Sequence, residues 1–80
     1  MNYYVRATGN NRFMGGGTSN WLKIRGIKKD KHGYEIKVKV NGHDSYIASN
    51  KDPEFLEFGA GWPGLMPVSF RRILRGDWKW

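Results

Sequence analysis

The sequence predicts a mainly β domain of the α+β kind. It would be a small antiparallel meander or barrel of about four to five strands with one or two short helices. Three observations carry this. Residues Tyr34-Glu35-Ile36-Lys37-Val38-Lys39-Val40 alternate apolar and polar, the period of a strand with one buried and one wet face. Asn41-Gly42 follows at once, the dipeptide of a two-residue type I′ hairpin, where both residues need positive φ. Upstream, Lys31-His32-Gly33 is a second turn signal, so the stretch from Trp21 to Ser49 reads as a three-stranded meander.

In chain order, Tyr3 to Thr8 alternates well enough for a first strand, with Tyr3, Val5 and Ala7 on one face and Tyr4, Arg6 and Thr8 on the other. Residues 9–20, GNNRFMGGGTSN, have no period and read as a long loop. Placing Asn41-Gly42 at the turn fixes a register: Val40 opposite His43, Lys39 opposite Asp44, Val38 opposite Ser45, Lys37 opposite Tyr46 and Ile36 opposite Ile47. A slip of one residue would reverse every side chain. The upstream strand conflicts with strict alternation. With Ile27 inward, Arg25 and Lys23 would enter the core while Ile24 and Leu22 met water. One extra residue restores sense, so a β-bulge is expected at or beside Gly26. Leu22, Ile24 and Ile27 then face in, and Trp21, Lys23 and Arg25 face out.

Asp52-Pro53-Glu54 has the chemistry of a helix start, and Gly59 that of a stop, so residues 53–58 are expected to be helical. Residues 59–64, GAGWPG, read as a tight loop carrying Trp62. Residues 65–75 admit two readings. A helix would have Pro67 near its start, Phe70, Ile73 and Leu74 on one side, and Arg71, Arg72 and Arg75 on the other. A strand would alternate Val68, Phe70, Arg72 and Leu74. The helix is preferred, with Asp77-Trp78-Lys79-Trp80 following as a terminal strand or an aromatic plug. The architecture resembles small barrels of the SH3 or OB kind, a resemblance of pattern alone.

Eighty residues make a single small domain spanning 1–80. A domain of this size buries only about 60% of its unfolded surface, so rich aromatic packing or self-association is expected to support it, and a homo-oligomer fits. With no cysteine and two histidines, disulfides and a structural zinc site are excluded, and no metal or cofactor is expected. Fourteen Lys and Arg against seven Asp and Glu give a net charge of +7. That balance points to a polyanionic partner rather than to any fold. The first residues lack the basic start and apolar core of a signal peptide, and no apolar run nears the roughly 18 residues that span a bilayer. A cytoplasmic protein without a membrane partner is expected.

The outer face of the meander is the first candidate site. It would display Trp21, Lys23, Arg25, Lys37, Lys39 and Tyr46, with Tyr4 and Arg6 joining from the first strand. Rings stack bases and the cations meet phosphates, as single-stranded nucleic acid requires. The plainer reading is that lysines on an exposed strand guard it against edge pairing. The second candidate is residues 14–19, MGGGTS, where backbone N–H groups of the three glycines, Gly16 at their centre, could converge on a phosphate, Thr18 and Ser19 add hydroxyl donors, and Arg12 and Phe13 could gate it. No Gly-Lys-Ser/Thr follows, so this is no P-loop, and a plain surface loop is the competing reading. Third, Arg71, Arg72 and Arg75 would form a phosphate clamp if they face the same way as the sheet, or else are solvated or pair with Glu54 and Glu57. Trp62, Trp78 and Trp80 read as core or interface anchors. His43-Asp44-Ser45 cannot form a triad, because neighbouring strand residues point to opposite faces.

These features favour a non-enzymatic binder of a phosphate-bearing ligand. The ligand would be single-stranded nucleic acid along the sheet, or a nucleotide signal molecule enclosed by the glycine loop and the arginines. A tiny, basic, aromatic-rich chain of this kind would suit a phage protein that sequesters a host defence signal. The alternative is an interaction module that inhibits an acidic protein partner.

Overall fold

The computed structural model describes residues 2–9, 15–31, 33–49, 56–61, 64–76 and 78. They form β1 (Tyr3–Ala7), β2 (Leu22–Asp30), β3 (Gly33–Val40), β4 (His43–Ser49), β5 (Leu56–Ala60), β6 (Met66–Pro67) and one helix, α1 (Phe70–Leu74). The strands make one antiparallel six-stranded sheet in the order β4-β3-β2-β1-β5-β6.

The meander forms as its residues dictate. Asn41 and Gly42 hold φ of 51° and 80°, the left-handed pair that a type I′ turn needs. The register is the expected one, from Val40 opposite His43 to Ile36 opposite Ile47, and runs on to Tyr34 opposite Ser49. At the other end Asp30 pairs with Gly33. The bulge is present: Ile24 pairs with Val38 but Gly26 pairs with Lys37, so Arg25 is the inserted residue. Ile24 and Ile27 are buried while Lys23 and Arg25 are exposed.

The bulge also divides the labour of β2. Below it, Leu22 and Lys23 pair with Val5 and Tyr4 of β1; from Ile24 onward the strand pairs with β3. β2 thus joins the β3–β4 hairpin to the β1–β5–β6 layer. The inward residues of both parts meet in one core of Val5, Ile24, Ile27, Ile36, Val38, Ile47 and Phe58, joined by Ile73 from α1.

Two expectations are corrected. The helix foreseen over 53–58 is not formed where it can be described: residues 56–58 belong to β5, and 51–55 lie outside the described residues. Leu56, Phe58 and Ala60 alternate inward and pair with Ala7, Val5 and Tyr3 along five residue pairs with β1. A helix of one or two turns is marginal alone, and this pairing outweighs the local capping chemistry. Gly59, read as a helix stop, sits in mid-strand. The second correction concerns closure and strand number. Among the described residues β4 and β6 are the two edges of an open sheet, so the barrel is not closed, and the strands number six.

The tail is helical over Phe70–Leu74, so the strand alternating through Val68, Phe70, Arg72 and Leu74 does not form, and the helix is shorter than the expected span of 65–75. Pro67, placed near a helix start, instead pairs with Gly59 in β6, and Val68 N–H donates to the Phe58 carbonyl at 3.0 Å. Ser69 then caps α1, its hydroxyl accepting from Arg72 N–H at 3.2 Å. Ile73 is fully buried. Phe70 packs edge-on to Tyr34 at 5.1 Å between centroids and lies 4.8 Å from Phe58. Gly76 N–H returns to the Ile73 carbonyl at 3.0 Å. The Trp78 indole N–H donates to the same carbonyl at 2.6 Å, and its ring sits 5.9 Å from that of Tyr3. Of the stretch 77–80, expected as a terminal strand or an aromatic plug, only Trp78 is described, and its ring packs against the core. A methyl at Gly76 would come within 3.1 Å of that indole nitrogen, so the bare backbone admits the ring. Trp62 and Trp80 lie outside the described residues.

Two stability experiments follow from this packing. Ile36→Ala and Ile73→Ala, both at fully buried positions, should each lower the urea-derived unfolding free energy by about 2–5 kcal/mol. If Ile73→Ala costs under about 1 kcal/mol, α1 is not part of the core. Deleting Arg25 should do far more damage than Arg25→Ala. The deletion turns Leu22 and Ile24 toward water, each worth about 1.5–3 kcal/mol, whereas the exposed substitution should stay within about 0.5 kcal/mol of the parent. Equal urea midpoints for the two variants would refute the bulge.

Candidate nucleic-acid interface

The outer face of the sheet is built in rows across the strands, about 4.8 Å apart from strand to strand. In one row Asp44 of β4 faces Lys39 of β3, Lys23 of β2 faces Tyr4 of β1, and Tyr4 faces Gly59 of β5, which faces Pro67 of β6. In the next row Tyr46 faces Lys37, and Lys37 faces Gly26 beside the inserted Arg25. Lys23, Arg25 and Lys39 are exposed and make no ion pair among the described residues. Lys37 Nζ reaches diagonally to Asp44 at 3.8 Å, rather than Lys39 straight across. Tyr46 is 48% exposed. The bulge therefore brings Lys23, Arg25, Lys37, Lys39 and Tyr46 onto one face.

Trp21 marks the β5 side of that face. The Arg6 guanidinium lies 4.5 Å from the centroid of its ring, within the range of a cation–π contact. Arg6 also forms an ion pair with Glu57, the residue opposite it on β5. The far edge of the indole passes over Gly59, 3.5 Å from where a Cβ would stand. Leu65, Met66 and Pro67 rise on the other side, and the space between is a cleft of about 530 Å³. Met66 is 70% exposed. The sequence reading placed Arg6 and Trp21 on this face but missed the cleft. Its other walls come from Glu57, which was assigned to a helix, and from a strand of only two residues.

The glycine loop closes onto β1 near the Trp21 end of the sheet. Ser19 N–H donates to the Ala7 carbonyl at 2.9 Å, and Ala7 N–H donates to the Ser19 hydroxyl at 2.9 Å. That hydroxyl also donates to the Asn20 carbonyl at 2.9 Å, so Ser19 is committed to the scaffold. Gly15, Gly16 and Gly17 hold φ of 73°, 121° and 83°, a run that side-chain-bearing residues rarely adopt. Thr18 is exposed beside them. Arg12 and Phe13, the expected gate, lie outside the described residues.

Arg71, Arg72 and Arg75 are exposed, but they do not join the lysines. α1 packs through Ile73 on the inner side of the sheet, so its exposed side looks away from the outer face. The condition set for a clamp, that the two groups face the same way, is therefore not met; Glu57 pairs with Arg6, and Glu54 lies outside the described residues. A second hollow of about 370 Å³ lies at the other end, lined by Lys29, Tyr34, Leu74 and Trp78, with Lys29 Nζ 5.8 Å from the Tyr34 ring centroid.

For other chemistry the described residues offer little. His43 and Asp44 project to opposite sides of β4, and Asp44 is held by Lys37. No group of three or more His, Asp or Glu with metal-binding proximity occurs among the described residues. No helix among them is long and apolar enough to cross a membrane. No protein-family model, curated protein or solved structure matches the chain.

Proposed function

We propose that this protein is a non-enzymatic binder of single-stranded nucleic acid, which lies across the outer face of β1–β4. The observation that supports this reading is the gathering of Lys23, Arg25 and Lys39, all exposed, on one face together with Lys37. Like charges on neighbouring strands of one face repel, at a cost of roughly a few tenths of a kcal/mol or more each. A polyanion reverses the sign of that term, and counterion release adds to it. Tyr4, Tyr46 and Trp21 flank the cations and offer rings to unstacked bases, each worth roughly 1–3 kcal/mol. Rigid duplex makes less use of such rings, because its bases are already stacked.

The enclosed-nucleotide reading has less behind it. It needs the glycine loop and the arginines of α1 to converge, and the arginines face the other side of the molecule. An acidic protein partner would use the same lysines and is distinguished by what binds.

Binding of a labelled oligothymidylate, followed by fluorescence anisotropy over a salt series, tests the proposal. The affinity should fall steeply with salt. Lys23→Ala together with Lys39→Ala should weaken it roughly tenfold at low salt and flatten the log–log slope by about 1.4, two phosphate contacts on a single strand. Arg71→Ala with Arg72→Ala should leave the slope nearly unchanged. If the two double variants behave alike, or if no oligonucleotide binds at low salt, the outer face is not a nucleic-acid surface.

A further inference from the structure

The two edges of the sheet differ in how they meet solvent. β6, at one edge, is two residues long and ends on Pro67, which has no N–H to offer a further strand. Short length and proline are two of the devices that keep an edge from pairing. β4, at the other edge, has neither. It runs for seven residues, His43–Ser49, in an unbroken register with β3. Its sequence holds no lysine, arginine or proline, and its one carboxylate, Asp44, is held by Lys37 at 3.8 Å. Among the described residues no strand lies beyond it.

We infer that β4 is a dimer edge, pairing antiparallel with β4 of a second copy of this chain to make one continuous sheet across a two-fold axis. The hairpin sets the phase of that pairing. Val40 and His43 close a two-residue turn, and such a closing pair exchanges both of its hydrogen bonds. Positions 43, 45, 47 and 49 therefore bond back to β3, while positions 44, 46 and 48 turn their N–H and C=O to the open side. A two-fold axis at Tyr46 matches that set to itself and uses the whole strand. Tyr46, 48% exposed, then lies opposite its own counterpart on the outer face. Ser45 lies opposite Ile47 on the inner one. Asp44 meets position 48 and stands about 14 Å from the Asp44 of the second copy. No two like charges face each other along the edge.

The same composition selects a second copy as the partner. The edge offers a foreign strand no free charge to recognise, since Asp44 is already paired, whereas its pattern is complementary to itself, as an isologous contact requires. The charge of the molecule does not oppose the contact either. The outer-face row of Lys37 and Tyr46 continues into Tyr46 and Lys37 of the second copy, so three strand spacings, about 14 Å, separate the two lysines. That exceeds the screening length of roughly 8 Å at physiological ionic strength. A two-fold axis normal to the sheet also sets both basic faces on the same side of the dimer. The pairing itself does not depend on the ligand proposed for those faces.

Sedimentation equilibrium of the nucleic-acid-free protein, from about 10 μM to about 1 mM to cover an interface of one strand edge, tests the pairing. The mass should rise with concentration toward twice that of the chain. Tyr46→Lys sets two lysines opposite each other at the axis and should hold the protein at the mass of one chain with its β-sheet circular dichroism unchanged. Met66→Lys, at the other edge and 70% exposed, should associate like the parent. The chain has no cysteine, so an introduced one reports the register without background. Tyr46→Cys should form an intermolecular disulfide on mild oxidation, because opposed Cα atoms in a hydrogen-bonded pair lie about 5.5 Å apart. Asp44→Cys, about 14 Å from its counterpart, should not. A single-chain mass throughout, equal loss of association in Tyr46→Lys and Met66→Lys, or crosslinking of Asp44→Cys as readily as Tyr46→Cys would each overturn the β4 dimer.

Discussion

One inserted residue in β2 sets the arrangement of everything around it. With Ile27 inward, strict alternation would force Lys23 and Arg25 into the core and Leu22 and Ile24 into water together. Burying a charged side chain without a partner costs several kcal/mol, and exposing two large aliphatic ones forfeits a comparable amount. The bulge between Ile24 and Gly26 removes the conflict. It also sharpens the local twist, at the point where β2 passes from β3 to β1 as its main partner. The inward residues on either side of this change of partner meet in one core.

The strands leave that core open on one side, and α1 fills it. The helix has only five residues, too few to be stable by propensity, so tertiary contacts hold it. Ile73 enters the core, Phe70 packs between Tyr34 and Phe58, and the Ile73 carbonyl accepts from both Gly76 and Trp78. That double acceptance ties the chain beyond the helix back to β1, through the ring of Tyr3. A short helix fixed in this way cannot turn its arginines toward the outer face. Its position on the inner side, and not any property of the arginines, separates the two basic groups.

The meander was legible because its signals are local and mutually constraining. Asn41-Gly42 fixed the register, and the register exposed the mismatch that Gly26 answers. What escaped the sequence reading was non-local. β5 follows from five pairings with a strand some fifty residues earlier, and Asp52-Pro53-Glu54 pointed to a different answer over the same stretch. β6 is two residues long, too short to carry any period. The cleft unites residues 6, 21, 57, 59, 65 and 66, which no spacing rule connects. The direction of Arg71, Arg72 and Arg75 needed the docking of α1 to be known first.

Gly59 joins the fold to the proposed site. Within β5 a glycine costs conformational entropy and offers nothing to pack, yet it lies between Tyr4 and Pro67 in the outer-face row. The bare backbone lets Trp21 lie across the strand and Leu65 approach from the far side, each 3.5 Å from where a Cβ would stand. A methyl would fit at ordinary contact distance, but a longer side chain would occupy the cleft and push the indole away from Arg6. The ion pair of Arg6 with Glu57 contributes little stability at the surface, about 0–1 kcal/mol. Its value lies in holding the guanidinium against the indole and the carboxylate at the cleft rim. A strand position that lacks a side chain and an ion pair of small worth are weak choices for stability alone. Both help to keep open the cleft between Trp21 and Leu65.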